Sequence, residues 1–506
     1  MLSQNAKYLL EKRYCRSGES PEDVFKRVAL ALSLGDEKYE EKLYELMVNG
    51  VFLPNSPTLF NAPKGNLHAC FVLPIEDDMF SIFKTMKDMA IIFKGGGGVG
   101  INFSPLRERN SSLSGGGTSS GVISFMKVFD NIVDTVKQGG RRRGALMGIL
   151  NQNHPDIFNF ITAKLEGKLQ NFNLSLMVDD EFMKNVDNSK KYIDLISPKN
   201  NEKVGKARIK DIFELLCFSS WINGDPAILF YDRINKDNKL WPEVKIEACN
   251  PCAEVPMPKF SACDLGSINL SKFIWKNKFN FDKFYEVCKI GCRALSAINS
   301  ISEYPIKESE EAMKKYNPIG LGIMGFADCL IRLGIFYDSQ ECLDFIDKAG
   351  EVYKKATEDY ESDKFFFYRR IIAPTGSLSL LADCSSGIEP VFDNVFERHL
   401  TIGKVEETRD IYSSQYVRTA HQVSPEWHIK VLAKWQEYLD GGVSKTINLP
   451  HDATVDDVKD AYKLAWSLGA KGVTVYRDGS KDQQVLYSKG TPKAPKQKCS
   501  DESCTL

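Results

Sequence analysis

Apolar residues recur along this chain at two spacings, and the alternation between them carries the first prediction. Ser20-Pro21-Glu22-Asp23 opens a helix, with a hydroxyl cap, proline at the first position and acid at the third. Val24, Val28, Leu30 and Leu32 give it an apolar face, and a second helix is predicted from Asp36 to about Met47. Residues 1–50 thus read as a short helical region. Strands are predicted at Ala69 to Pro74, Val99 to Phe103, Leu146 to Leu150, Asn173 to Val178, Ala227 to Tyr231, Arg370 to Ala373, Lys445 to Asn448 and Lys471 to Tyr476. Helices are predicted between them at Met79 to Phe93, Val122 to Lys137, His154 to Ala163 with Asn153 as cap, Asp211 to Trp221 and Phe281 to Ser300. Further helices are predicted at Gly322 to Leu333, Glu341 to Tyr360, Ser424 to Leu439 and Val455 to Leu468. Strands alternating with helices predict an α/β protein, and no internal repeat is visible.

Several stretches break this pattern. Pro54-Asn55-Ser56-Pro57-Thr58 reads as a loop rich in hydroxyls. Gly95 to Gly100 formally matches G-x-G-x-x-G, but Ile101-Asn102-Phe103-Ser104-Pro105 does not start the helix that a dinucleotide site needs. Close backbone approach in the core is the better use of these glycines. Ser111 to Gly121 is a Ser/Gly-rich loop, and residues 138–144 form a basic, glycine-rich one. From about Gly479 the chain loses its apolar anchors, so residues 481–506 are expected to be a flexible tail.

Composition narrows the class. The 506 residues are 43% hydrophobic and 26% charged with a net charge of −1, so no global field draws in nucleic acid or an anionic membrane. No apolar run is long enough to span a bilayer and no signal peptide opens the chain, which predicts a cytoplasmic protein with reduced thiols. Thirteen cysteines is then a high number. Most of them, including Cys15, Cys217, Cys288, Cys292, Cys329, Cys342 and Cys384, read as small buried apolar side chains.

Candidate chemistry gathers between Ala248 and Leu270. Cys249, Asn250, Cys252 and Glu254 lie close together, with Cys263 behind them, and Pro251, Pro256 and Pro258 argue against a regular helix. An extended or looped segment turned into a cavity could do covalent, redox or radical chemistry. The Cys249–Cys252 pair admits three readings: half a zinc site, a thiol-redox pair, or one functional cysteine beside a structural one. Pro374-Thr375-Gly376-Ser377 at a strand end suits either a phosphate or a plain turn. Cys499 and Cys504, on the tail, suit a carrier of reducing equivalents.

Taken together, these segments resemble the catalytic subunit of ribonucleotide reductase. The likeness runs from Ser56 to Cys504 and rests on Asn55-Ser56-Pro57-Thr58, Ala69-Cys70-Phe71-Val72, Gly97 to Asn102, Gln138-Gly139-Gly140-Arg141, Asn250 to Glu254, Cys263 to Leu270 and Ala373 to Ser377. It implies a ten-stranded α/β barrel over residues 51–480 with a finger loop at its centre. It implies that Cys252 is the thiyl radical that takes the 3′ hydrogen of a ribonucleotide. By the same likeness Glu254 accepts the 3′-hydroxyl proton, Asn250 positions the ribose, and Cys70 and Cys263 reduce the 2′ carbon and end as a disulfide. Cys499 and Cys504 would reduce that disulfide and be recharged by a thioredoxin-like partner. Thr58, Pro374, Thr375, Gly376 and Ser377 would hold the substrate phosphates. A specificity site for a deoxynucleotide or ATP effector at a homodimer interface maps to Asp77 and Arg107, with loops near Ser114 to Thr118 and Arg141 to Gly148. The short N-terminal region predicts no additional ATP-binding cone.

Members of the family differ in how the radical is made. The oxygen-dependent class uses a second, metal-containing subunit and a tandem tyrosine pair near the C-terminus. Here Lys471 to Ser480 holds one tyrosine, Tyr476, preceded by Val475. That resembles the adenosylcobalamin-dependent class, and no Asp-x-His-x-x-Gly stretch predicts a cobalamin bound through histidine. The reading is an adenosylcobalamin-dependent ribonucleoside di- or triphosphate reductase with no metal site of its own. The alternatives are the large subunit of the oxygen-dependent class and a zinc-binding or thiol-redox module built on Cys249 and Cys252.

Overall fold

The computed structural model describes residues 2–136, 144–400, 403–480 and 486–488. Its centre is a barrel of strands β1 (Phe52–Pro54), β2 (Cys70–Leu73), β3 (Gly98–Asn102), β4 (Leu146–Asn151), β5 (Phe172–Val178), β6 (Ala227–Phe230), β7 (Ala262–Asn269), β8 (Ile319–Met324), β9 (Thr446–Leu449) and β10 (Gly472–Arg477). Strands β2 through β6 pair in parallel in chain order. Strand β10 runs antiparallel to β6, and β9 lies parallel to β10. At the other edge β7 pairs antiparallel with β2 and parallel with β8, while β1 adds antiparallel to β7. Parallel bridges from Leu321 to Arg370 and from Ile372 to Val443 carry the pairing from β8 back to the segment before β9, closing the ring. The result is two parallel halves joined by antiparallel seams, the α/β barrel that the family likeness implies.

Strand alternation decides what faces inward. Cys70 and Val72 of β2, Met147 and Ile149 of β4 and Cys263 of β7 share one cluster inside the ring with Cys249 and Val255. Phe71, Val99, Ile101, Leu146 and Ala262 point the other way, under the helices Met79–Lys94 and Val122–Thr135. Barrel strands buried on both faces read as continuous apolar runs, which explains why β8 was expected as the start of a helix from Gly322 to Leu333. Instead Ile319–Met324 is a strand buried at every position, and Gly325, in the left-handed region, turns the chain into the helix Phe326–Leu333.

Other boundaries also move. The loop expected at Pro54 to Thr58 contains a helix start: Asn55 caps Ser56–Asn61 by accepting from the Thr58 amide. The helix expected from His154 begins at Ile157, because the Asp156 carboxylate is engaged by the amides of Arg109 and Val122. Leu146 to Gly148, expected in a mobile loop with Arg141, are held in β4 between β3 and β5. Arg141 itself, with the rest of residues 137–143, lies outside the described residues. The hairpin Tyr192–Ile196 with Lys203–Arg208, the helix Lys307–Tyr316 and the hairpin Val395–Leu400 with Gly403–Thr408 have no counterpart in the sequence reading.

The N-terminal region is helical as expected, and Ser20 and Asp23 form a reciprocal capping box on Pro21–Ser33. Asp36 caps Glu37–Val48. Within the expected tail, Leu486–Ser488 pairs as a strand with Val395–Leu400. Cys499 and Cys504 lie outside the described residues. No described helix is long and apolar enough to cross a membrane.

Candidate active site

The segment Ala248 to Met257 is a tight antiparallel hairpin threaded into the barrel, with Cys249 opposite Pro256 and Ala248 opposite Met257. Its turn is closed by Ala253 N–H donating to the Asn250 carbonyl at 3.0 Å, and Ala253 takes a φ of +66°. The Asn250 side chain stiffens the loop from within, its Oδ1 accepting from the Val255 amide at 2.9 Å. This is the finger anticipated from the sequence.

Glycines set how deep the finger sits. A Cβ on Gly100 would stand 1.7 Å from the Cys249 carbonyl oxygen, and one on Gly98 would meet Pro251 Cγ at 3.1 Å. The glycine run therefore serves close backbone approach, as expected. On the far side, Gly442 N–H donates to the Glu254 carbonyl at 2.7 Å. The turn bearing Gly442 is itself fixed by buried charge: Lys471 donates to the Asp440 and Gly441 carbonyls, and Asp440 pairs with Arg370 at 2.9 Å. Asn173 Nδ2 completes the clamp, donating to the Pro251 carbonyl at 2.8 Å.

Around this finger the structure gathers two of the predicted groups from distant parts of the chain. Cys70 and Cys263 are directly opposed across the β2–β7 seam, both projecting into the barrel and both reduced. Asn250 Nδ2 reaches Cys70 Sγ at 3.1 Å. Burial, first, and then the neighbouring Asp264, Cys70 and Glu254 push the Cys263 thiol well above the usual range, so it stays protonated near neutral pH. The Asp264 carboxyl is likewise raised by burial. Glu254 is buried, with 1% of its surface exposed. Cys252 at the apex is exposed. Cys249 is buried and its thiol is raised by burial, as that of Cys263 is, but it lies in the hairpin strand opposite Pro256 and not across the seam from Cys70.

The other predicted residues fall in two places. In the loop at Pro374 to Ser377, Thr375 has a φ of +56° and its hydroxyl accepts from the Gly387 amide at 2.8 Å. Gly376 and Pro374 line a cavity of about 500 Å³ together with Thr446, Thr474, Tyr476 and Arg398. Thr58 does not offer its hydroxyl: it is buried and donates to the Leu67 carbonyl at 3.0 Å, so it fixes the Asn55 turn. The partly exposed hydroxyl of that turn is Ser56, bonded to Tyr14 at 2.9 Å. Sequence reasoning passed over Ser56, although its position in Asn55-Ser56-Pro57-Thr58 was the signal.

Asp77 and Arg107 meet as an ion pair at 2.6 Å, just before the helix Met79–Lys94. Asp77 also lines a second cavity, of about 390 Å³. Nearby, the loop at Ser114 to Thr118 is held by a bridge from Ser112 to Thr118 and by Lys199 on Ser112. Among the described residues no group of three or more His, Cys, Asp or Glu side chains could hold a metal ion.

Comparison with known proteins agrees with this geometry. The model of the ribonucleotide reductase barrel domain matches residues 68–359 and 354–476, and that of the ribonucleotide reductase all-alpha domain matches residues 1–66. The vitamin B12-dependent ribonucleoside-diphosphate reductase of Thermoplasma acidophilum is 39% identical over 90% of this chain and 67% of its own length. That of Mycobacterium tuberculosis is 35% identical over 95% of this chain and 79% of its own. The ribonucleoside-diphosphate reductase large subunit of variola virus is 27% identical over 90% of this chain and 68% of its own. The opposed thiols, the threaded finger and these matches together make the chain a member of the ribonucleotide reductase family.

Proposed function

We propose that the chain reduces ribonucleotides to 2′-deoxyribonucleotides by radical chemistry at Cys252, with adenosylcobalamin as cofactor. The observation that carries this reading is the Cys70–Cys263 pair, opposed across one barrel seam, with the finger carboxamide of Asn250 on Cys70. Two thiols supply the two electrons that the reaction needs: the ribonucleotide loses its 2′ hydroxyl as water, gains hydrogen at that carbon, and the thiols become a disulfide. A neutral, protonated Cys263 suits a hydrogen donor. In this reading Cys252 withdraws and later returns the 3′ hydrogen, Glu254 holds the 3′-hydroxyl proton, and Asn250 orients the ribose. Cys252 lies open at the finger apex, so bound substrate and cofactor supply the cover that excludes water.

The cavity of about 500 Å³ beside Pro374 and Gly376, too small for the whole of adenosylcobalamin, is proposed to take only part of it, next to the phosphate loop. Its lining joins the apolar side chains of Phe392, Phe396 and Val475 to the side-chain donors of Asn448, Thr446 and Thr474, and also carries Glu389, Arg398, Glu407 and Arg409. Adenosylcobalamin, when bound, supplies the unpaired electron from its weak cobalt–carbon bond. Val475 precedes Tyr476 where a tandem tyrosine relay would need a second ring, which favours this cofactor over a separate metal-containing subunit.

The loop of residues 374–377, with Ser56, is proposed to hold the substrate phosphates. Asp77 and Arg107, beside the second cavity, are proposed to belong to an effector site for a deoxynucleotide or ATP. Met79, Phe80 and Phe83 on the adjoining helix are 55%, 91% and 55% exposed, an apolar patch that favours a second copy of this chain as partner. Cys499 and Cys504 are proposed to carry electrons from a thioredoxin-like reductant in the cytoplasm.

The deciding experiment incubates purified protein with a ribonucleoside diphosphate, adenosylcobalamin and a small dithiol. Deoxynucleotide should form with no second subunit. Product that appears only on adding a metal-containing subunit contradicts the cofactor assignment, and no product under either condition contradicts the activity.

A further inference from the structure

The N-terminal region touches the loop at residues 374–377 through a side chain that the proposed mechanism leaves unused. The helix Gln4–Leu9 passes into a π-helical turn at Leu10–Tyr14, closed by Cys15 N–H donating to the Leu10 carbonyl at 2.9 Å. Such wide turns recur at functional sites because they re-aim consecutive side chains. Here Arg13 and Tyr14 both point into the barrel domain. Arg13 Nη1 donates to Ser377 Oγ at 3.0 Å, and the Tyr14 hydroxyl meets Ser56 Oγ at 2.9 Å, its ring stacked on Phe60. Two neighbouring residues of one turn thus engage the two separate segments assigned to the substrate phosphates.

Charge sharpens the point. Arg16 and Arg27 lie in the same region but turn to backbone carbonyls at the end of the helix Ser56–Asn61, Arg27 also pairing with Glu19. Arg398, on the other side of the loop, reaches the Gly376 carbonyl but is neutralised by Glu407 in a buried ion pair. Arg13 brings its guanidinium to a partly exposed hydroxyl of the loop, while only 7% of its own surface is exposed. With a net charge of −1 the chain has no general field to hold an anionic substrate, so a local cation adds what the hydroxyls and backbone of the loop cannot supply. A guanidinium presents a rigid fork matched to phosphate oxygens, and burial strengthens the interaction.

We infer that Arg13 is a substrate-phosphate ligand, contributed by the N-terminal helical region to the barrel's binding site. The inference rests on the reading of residues 374–377 and Ser56 as the phosphate site. On binding, the Arg13–Ser377 hydrogen bond is shared with a phosphate oxygen, and the π turn keeps the guanidinium in place.

Equilibrium binding of CDP and of cytidine to the full-length chain tests this. In wild type, CDP should bind far more tightly than cytidine. Arg13→Gln should weaken CDP about 10- to 100-fold, as expected for a lost charge-assisted hydrogen bond, and leave cytidine unchanged. Arg13→Lys, which keeps the charge without the fork, should fall between. CDP affinity that survives in Arg13→Gln, or equal losses for CDP and cytidine, overturns the assignment while leaving the loop's role intact. A wild type that does not prefer CDP to cytidine removes the phosphate loop, and Arg13 with it. Should Arg13→Gln not fold, Arg13→Lys decides: an intermediate loss confined to CDP supports the inference, and wild-type affinity for CDP contradicts it.

Discussion

At the scale of single residues, the site is a set of protonation states imposed by burial. Cys263 and Asp264 are held neutral because the barrel wall leaves no water to stabilise their charged forms. His68, two residues before Cys70, follows the same rule. It is fully buried, with Nδ1 at 3.0 Å from Ser302 Oγ and Nε2 at 2.8 Å from Asn299 Oδ1. Burial lowers its pKa to about 4, the Asn299 contact partly opposing. The unfolded chain therefore takes up a proton at His68 near pH 6.5 while the folded chain does so only near pH 4. Stability from this residue is complete above the unfolded value and is lost as pH falls through that window, by about 3 kcal/mol in total. Denaturant titrations from pH 7 to 4 should show that loss, and His68→Asn should remove about that much of the pH dependence. An unchanged slope in the variant would show that His68 is not held neutral. His154 and His428 are also depressed by burial and add to the wild-type slope with the same sign.

At the scale of elements, the finger is placed by backbone packing more than by its own sequence. Strand β3 admits it because Gly100 has no Cβ: the added atom of Gly100→Ala would overlap the Cys249 carbonyl at 1.7 Å. Backbone cannot move aside as a flexible side chain can, so the finger or the strand must shift. Gly100→Ala should cost about 3 kcal/mol, at the upper end for overpacking, and lower the melting temperature by several degrees. It should also cut turnover at least tenfold by misplacing Cys252 relative to Cys70 and Cys263. Wild-type turnover in a folded Gly100→Ala protein would mean that the finger tolerates displacement. This element also shows what sequence can and cannot convey. The glycines, the prolines and the Asn250–Cys252–Glu254 spacing were legible as a looped segment turned inward. The partner across the seam was not, because Cys70 and Cys263 meet only through register between strands far apart in the chain. That pairing entered the sequence reading through family likeness, and β2 and β7 place the two side by side. Strand β8 was misread for a related reason: a strand buried on both faces has lost the period-two signal that separates strand from helix.

At the scale of the whole molecule, the closed barrel carries an exposed apolar patch at the start of the helix Met79–Lys94. Phe80 and Phe83 on the helix Met79–Lys94 lie beside the Asp77–Arg107 pair, so a partner seated there would sit next to the proposed effector site. The double variant Phe80→Asp with Phe83→Asp should leave the chain folded and monomeric by light scattering, and should abolish any response of substrate choice to added nucleotide effectors. A variant that remains dimeric would move the interface elsewhere. The alternation of strand and helix was sufficient to predict this class of architecture, since βα units leave few other ways to bury a sheet. Closure of the ring was legible only in part: a strand was expected at Arg370 to Ala373, but its pairing with Leu321 on one side and Val443 on the other, through isolated bridges, has no local signal in the sequence.

The central claim is that Cys70 and Cys263 are the electron source for ribonucleotide reduction. A single-turnover measurement reaches it most directly. Pre-reduced Cys499→Ser, Cys504→Ser protein is mixed with adenosylcobalamin and a ribonucleoside diphosphate, without external reductant, and both deoxynucleotide and disulfides are quantified. The account predicts about one deoxynucleotide per active chain and one new disulfide, joining Cys70 to Cys263. Deoxynucleotide formed while Cys70 and Cys263 both remain as free thiols would contradict it.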